Sequence, residues 1–366
     1  MRFVFKTDYN QDLGLFKHAQ HRMWYLLLGA LSVALPWLIS DYLLGEITLV
    51  LIWSIASMGL MILIGQTGLA SLGHAAFLAI GAYSVVLLQE RLGLPFLLAF
   101  PLAGLISGLC GAAIARPIAK LHGVYLAIAT LALGILVEDI IVIAEPLTGG
   151  VGGLFAPDIE IFGHTFNKYI NPSDVYFLIL AITVALVWFY KNLLRSPLGR
   201  AFAAIRDSEV SAQAMGVELA KTKAMSFALS AAYTGLAGAL LGHFTGIFNN
   251  ETFTIIISIN MLMMIVIGGV GSIHGAFFGA AVFVLLPTVI AFARDGLATL
   301  GFGNAVVIPG IEAGIFAMIL IGFLLFEPLG IYGRWVKIRT WFELFPLARR
   351  DMFKRNQSFL KTERTR

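Results

Sequence analysis

Four carboxylates fall within or at the ends of long apolar runs of this 366-residue chain: Glu138, Asp139, Glu145 and Glu312. An ionisable group inside hydrocarbon is costly, so each is a candidate for a pathway role. A proton relay would need a chain of such groups across the apolar layer, and the sequence supplies none. Glu138 and Asp139 are adjacent, so on a helix they point about 100° apart and do not face one partner. Placement of all four at the membrane–water interface is the simpler reading. The remaining polar content is small and neutral. It is densest in Gln66-Thr67-Gly68-Leu69-Ala70-Ser71-Leu72-Gly73-His74. Glycines and hydroxyls at a span entrance expose backbone groups to a cavity, and such groups hold a zwitterion without fixed charge. Gln66, Thr67, Gly68, Ser71 and His74 are therefore candidates for a substrate path. The competing reading is close helix packing, with His74 a satisfied buried histidine.

Other chemistries find no support. No G-x-x-x-x-G-K-[ST] occurs, so no P-loop holds ATP on this chain. Gly268-Gly269-Val270-Gly271 has the look of a nucleotide loop, but Gly275 falls at the wrong spacing and the context is apolar. Gly271, Gly275 and Gly279 repeat every four residues, which suits a helix face that a neighbouring backbone approaches closely. Neither H-E-x-x-H nor G-x-S-x-G is present, so a membrane-embedded hydrolase lacks its constellation. The lone cysteine, Cys110, excludes an intramolecular disulfide and a multi-cysteine metal site. No metal, cofactor or catalytic residue is expected on this chain.

The elements that must position these residues follow from composition. Hydrophobic residues make up 59% of the chain and charged residues 13%, with a mean hydropathy of +0.88. A soluble domain carries about 25% charged residues. The expectation is an all-α polytopic transmembrane bundle. A span needs about 20 apolar residues. Ten runs qualify or nearly so: residues 23–39, 47–64, 69–88, 94–115, 124–145, 175–190, 224–247, 254–273, 275–293 and 306–326. The third is rich in small and polar residues and reads as broken or partly re-entrant. The polar residues 1–22 ahead of the first run do not resemble a signal peptide.

The net charge of +4 would suggest nucleic acid in a soluble protein, but here the cations flank apolar runs. No nucleic-acid partner is expected. With the N-terminus inside and ten spans, 22 of the 25 Lys and Arg fall on the inner side, leaving Arg91, Lys168 and Arg294 outside. The positive-inside rule therefore puts both termini in the cytoplasm. Residues 1–22 form an inner N-terminal segment, 23–332 the membrane domain, and 333–366 a basic tail. Trp335, Trp341, Phe342 and Phe345 make that tail suited to anionic membrane lipid.

Residues 191–223 interrupt the apolar pattern on the cytoplasmic side. Pro197 opens one helix, and Asp207 with Ser208 caps a second, which Gly216 ends. Phe202 and Ile205 make one apolar face; Val210, Ala214 and Met215 make another. Two short amphipathic helices suit a docking surface for a soluble partner. A helix lying on the lipid is the alternative. Residues 68–82 also match 268–282 at Gly, His, Ala and Phe, a faint internal repeat of the kind found in transport architectures.

These segments resemble one family. Gly65-Gln66-Thr67-Gly68, Ser71-Leu72-Gly73-His74-Ala75-Ala76-Phe77 and Gly81-Ala82-Tyr83 are similar to the signature of branched-chain amino acid ABC transporter permeases. So are Leu147-Thr148-Gly149-Gly150, Arg195-Ser196-Pro197-Leu198-Gly199-Arg200, Ala204-Ile205-Arg206-Asp207-Ser208-Glu209 and Phe326-Glu327-Pro328-Leu329-Gly330. Together they favour the LivM type over its LivH-type partner, across about residues 25–332. The resemblance implies a subunit of a bacterial inner-membrane importer for Leu, Ile or Val. It also implies a homologous second permease, two ABC ATPase subunits and a periplasmic substrate-binding protein as partners. By the same resemblance, Arg206, Asp207, Glu209, Ala212, Ala214 and Gly216 belong to the ATPase-coupling loop. Thr148, Gly149 and Gly150 belong to the outer loop that faces the binding protein. Val151-Gly152-Gly153 departs from the family's polar residue after Thr-Gly-Gly, which keeps urea and short amides open as substrates. An ion-coupled secondary transporter is the alternative from another class, and it would need no docking helix.

Overall fold

The computed structural model describes residues 19–118, 121, 123–297, 311–326 and 330–344. These residues fold into helices with two minute two-stranded sheets. In chain order the helices are α1 (Ala19–Leu38), α2 (Asp41–Met61), α3 (His74–Leu92), α4 (Phe96–Ile118), α5 (Val124–Ile143) and the single turn α6 (Glu145–Thr148). After a segment carrying short strands come α7 (Pro172–Arg195), α8 (Pro197–Asp207), α9 (Glu209–Ala214) and α10 (Leu219–Thr245). Then follow α11 (Ile255–Gly268), α12 (Ile273–Leu297), α13 (Ile311–Phe326) and α14 (Gly330–Leu344).

Each of the ten apolar runs carries a helix. Among the described residues, eight helices are long and apolar enough to cross a membrane; the apolar part of α1, Met23–Leu38, and α13 are shorter. The third run differs from its expected bounds. Residues 68–73 are irregular and α3 starts only at His74, so the Gly- and Ser-rich part of the run is a loop beside the helix.

The centre is built by α2 and α10, which are buried along most of their length. α3, α4 and α12 pack around them, while α5 presents most of its surface outward. In lipid the hydrophobic effect does not favour helix association, so close contact depends on small residues. A Cβ on Gly81 of α3 would lie 1.9 Å from the Gly235 carbonyl oxygen of α10, and one on Gly238 would lie 2.0 Å from the Leu78 carbonyl. Both obstacles are backbone. Gly81→Ala is therefore expected to push α3 off α10 and to lower stability by about 2–3 kcal/mol, as overpacking does. Melting of the purified protein measures it.

At one end of the bundle β1 (Leu154–Phe155) pairs antiparallel with β4 (Ile247–Phe248), tying the segment between α6 and α7 to the end of α10. β2 (Ile159–Ile161) and β3 (His164–Phe166) form a hairpin through Phe162 and Gly163, both at positive φ, as a two-residue primed turn requires.

Candidate functional site

Contacts between distant residues sort the loops onto two ends. One end holds Thr148 and the β1–β4 pair, together with Arg91, whose guanidinium donates to the Pro146 carbonyl at 2.6 Å. The other end holds the 65–73 loop, the 269–272 loop, α8, α9 and α14.

At this second end the path candidates gather at a polar helix break. α2 does not stop cleanly. Its last turn, Ile62–Gln66, is π-helical, a rare form that recurs at functional sites. Gly68 follows at φ +75°. Gln66 is buried and its Nε2 donates to the Gly271 carbonyl at 3.1 Å. Thr67 is buried and its hydroxyl donates to the Ile62 carbonyl at 2.9 Å, healing the frayed turn. Gly65 lies so close to the second glycine loop that a Cβ there would be 2.9 Å from the Gly271 amide. The faint repeat is thus spatial. Both copies are glycine breaks, at Gly68 and at Gly269 and Gly271, ahead of a helix that starts near a histidine, and the breaks touch. Gly330 joins them from α14: at φ +68°, its Cβ would sit 2.5 Å from the Gly269 amide. This gives Gly330 of the Glu-Pro-Leu-Gly motif a packing reason.

His74 has no access to solvent. Its Nδ1 lies 2.9 Å from the Ser71 hydroxyl and its Nε2 2.7 Å from the Ser230 hydroxyl. The Ser230 hydroxyl donates to the Gly59 carbonyl at 2.6 Å, so it accepts from the imidazole. Nε2 therefore carries the proton, and Nδ1 accepts from Ser71. This row pins α3 between α2 and α10. Of the path candidates only Gly68 is exposed; Gln66, Thr67, Ser71 and His74 are enclosed. Their own spacing carried no sign of Ser230 or Gly271, which lie far along the chain.

The candidate coupling segment packs directly against this break. Ser196 caps α8, accepting from the Gly199 amide at 3.2 Å, and Ser208 caps α9, accepting from the Ser211 amide at 3.2 Å. Gly216 closes α9 at φ +86°, with the Val217 amide donating back to the Ala212 carbonyl, a Schellman-type end. Phe202 and Ile205 are buried against the bundle. Arg206 reaches up from α8: its Nη1 donates to the Gly65 carbonyl at 3.1 Å, and its guanidinium pairs with Asp207 at 3.3 Å. Gly68 is packed on the same side chain, its Cβ position 3.2 Å from the Arg206 Cγ. Glu209 Oε2 accepts from Lys223 Nζ at 2.8 Å, and Lys223, in the first turn of α10, is 2% exposed. Arg206 and Glu209 thus both bond to the bundle, Arg206 while still exposed and Glu209 half-buried. Ala212 faces the bundle as well, at 2% exposure. The outward face of α9 is made by Val210 and Met215, 80% and 86% exposed, beside Ala214 and Gly216. Lys223 was invisible to motif reading, because a lysine at a span entrance is indistinguishable there from a topology signal.

At the opposite end, Thr148 is buried and its hydroxyl accepts from the Gly150 amide at 3.2 Å while donating to the Ile141 carbonyl at 2.5 Å. Gly149 and Gly150 both adopt positive φ, and a Cβ on Gly149 would lie 2.2 Å from the Gly153 carbonyl. These three residues frame the turn; Leu147 and Val151 are the side chains it exposes. Glu138 is half-exposed and Asp139 exposed on α5. The side chain of Glu312 lies outside the described residues. Among the described residues no group of three His, Cys, Asp or Glu is arranged to hold a metal.

A family model described as the branched-chain amino acid transport system permease component matches residues 42–327. This chain belongs to that family. The permease is 33% identical over 288 residues to the high-affinity branched-chain amino acid transport system permease protein LivM of Salmonella typhimurium strain LT2, covering 73% of this chain and 68% of that protein. The LivM of Escherichia coli K12 matches with the same identity and coverage. A probable LivH of Methanocaldococcus jannaschii is 27% identical over 296 residues, covering 77% of this chain and 89% of that protein. Similarity to both types agrees with a system built from a homologous permease pair. No solved structure matches the permease.

Proposed function

We propose that this chain is the LivM-type permease of an ATP-driven importer that carries branched-chain amino acids across a bacterial inner membrane. Family membership and 33% identity to two LivM proteins support the substrate class. One structural observation carries the mechanism. A short helix exposes Val210 and Met215 to the aqueous side while its first residue, Glu209, is fastened to Lys223 of the central span. A soluble ATPase that grips the exposed face pushes on α10 through that pair, and on the Gly65–Gly68 break through Arg206. The two glycine breaks then move together, because Gln66 bonds one to the other. ATP hydrolysis belongs to separate chains, and a periplasmic binding protein delivers substrate at the Thr148–Gly150 end beside a LivH-type partner.

The test is reconstitution with a LivH-type permease, an ABC ATPase and a binding protein. Leucine uptake should follow ATP and ignore a collapsed proton gradient. Glu138→Gln and Asp139→Asn should each keep uptake within about twofold of the unaltered complex, since both groups lie toward the surface of α5. Loss of uptake in either variant, with assembly intact, favours proton coupling instead.

A further inference from the structure

At the Thr148 end a cavity of about 70 Å³ lies beside the β1–β4 pair, between the β2–β3 hairpin, the start of α7 and the last turns of α10. One water molecule needs about 10–15 Å³ on the same measure, so the space admits a short branched aliphatic group. Its floor is apolar: Ile159, Val175, Ile179 and Leu240 line it, and all four are buried. Two opposite charges line it as well, Lys168 and Asp158.

Each charge is fixed by its own anchor. Lys168 caps the end of α10, where its Nζ donates to the Phe244 carbonyl at 2.6 Å. The same Nζ lies 4.9 Å from the ring centroid of Tyr169 and 5.1 Å from that of Phe244. One hydrogen bond leaves two of the three ammonium protons, and Lys168 is partly exposed. Asp158 is exposed; its Oδ1 accepts from Asn167 Nδ2 at 2.9 Å, and its Oδ2 takes no hydrogen bond from a described residue. Among the described residues no ion pair joins Lys168 to Asp158, although both border one small space. A cation and an anion that share a cavity without meeting suit a molecule that carries both charges. Such a pocket, apolar below with a few polar groups at its rim, fixes the orientation of what it binds.

We infer that this cavity is an entry site for a zwitterionic α-amino acid with a short branched side chain. The α-carboxylate accepts from Lys168, the α-ammonium donates to Asp158 Oδ2, and the side chain enters over Val175, Ile179 and Leu240. Both polar contacts are charge-assisted, the stronger kind of hydrogen bond. The inference rests on the reading of the chain as an amino-acid permease. It supplies that reading with a fixed-charge site at the end where substrate arrives, whereas Gln66, Thr67, Ser71 and His74 are enclosed at the other.

Photolabelling tests it. The full chain in an uncharged maltoside detergent is irradiated with leucine that carries a diazirine on its side chain, and labelled peptides are read by mass spectrometry. Labels should fall within 156–169, 175–179 or 240–246. Leucine should compete about tenfold better than leucinamide, which lacks the carboxylate, or 4-methylpentanoate, which lacks the ammonium. Phosphoethanolamine, a soluble lipid headgroup, should not compete. Labels confined to other segments overturn the site on the unaltered chain, without dependence on any variant's folding. Equal competition by leucinamide or by 4-methylpentanoate overturns recognition of the zwitterion. Competition by phosphoethanolamine as strong as that by leucine overturns the amino-acid assignment in favour of a lipid headgroup. Asp158→Asn retains an acceptor for Asn167 and removes only the charge; it should lower labelling about fivefold. Glu160→Gln, an equal loss of charge outside the cavity, should leave labelling unchanged, and an equal fall in both variants overturns the site. Leucine uptake by the reconstituted importer is read separately. Uptake without labelling here overturns this site and leaves the proposed function standing, whereas labelling without uptake overturns the proposed function instead.

Discussion

Met215→Arg is expected to stop transport without harming the fold. The side chain is 86% exposed at the end of α9, so the free protein gives up almost no packing. In the assembled importer it sits at the centre of the proposed docking face beside Val210, where a desolvated anchor is worth about 2–4 kcal/mol. At about 1.4 kcal/mol per tenfold, that is a loss of roughly 30- to 1,000-fold in ATPase affinity. Uptake and substrate-stimulated ATP hydrolysis should fall together, with membrane insertion and melting unchanged. Val210→Arg should behave alike. A helix resting on lipid predicts the reverse, because a basic residue favours an anionic leaflet. Retained uptake in both variants rejects the coupling role of α9. Two nearby substitutions are poor probes. Ala212→Arg would bury a charge inside the bundle, and Gly216→Arg would force a side chain onto a residue at φ +86°.

Glu209→Ala should act on stability first. Lys223 is nearly sealed from water, and its ammonium depends on Glu209 at 2.8 Å. Removing one partner of a buried pair leaves the other charge unmet, at a cost of about 3 kcal/mol; Glu209 keeps some water, so the lower end of the usual range applies. Replacing both, as Glu209→Leu with Lys223→Met, removes the orphaned charge and should return melting close to its original value. Transport separates the two roles of the pair. If it carries force as well as stability, the double variant should melt normally yet hydrolyse ATP with uptake reduced at least tenfold. Full uptake in the double variant would show that the pair only holds the fold.

Much of this molecule is written in local pattern. Hydropathy runs of about 20 residues specify helices because an isolated backbone in lipid must satisfy its own hydrogen bonds. The caps were equally legible: Ser208 before α9 and Gly216 after it act through neighbouring residues, and both stand where spacing placed them. The paired Gly and His signatures also announced a repeat. The third run was read less well, because hydropathy averages over a window and hides the short loop 68–73, whose glycines leave the helix at Gly68.

The sequence by itself determined the class, the family and the positions of the helices, since each depends on residues close together in the chain. Only the tertiary structure decided which way the coupling residues face. Whether Arg206 reaches a partner or the Gly65 carbonyl depends on where α2 ends, 141 residues away. Whether His74 touches cargo or pins helices depends on Ser230, 156 residues away. The same holds for Lys223, which reads as a topology signal in sequence and becomes a buried strut once α9 folds back upon it. Burial and pairing at such distances come from how helices pack, and no local spacing encodes them.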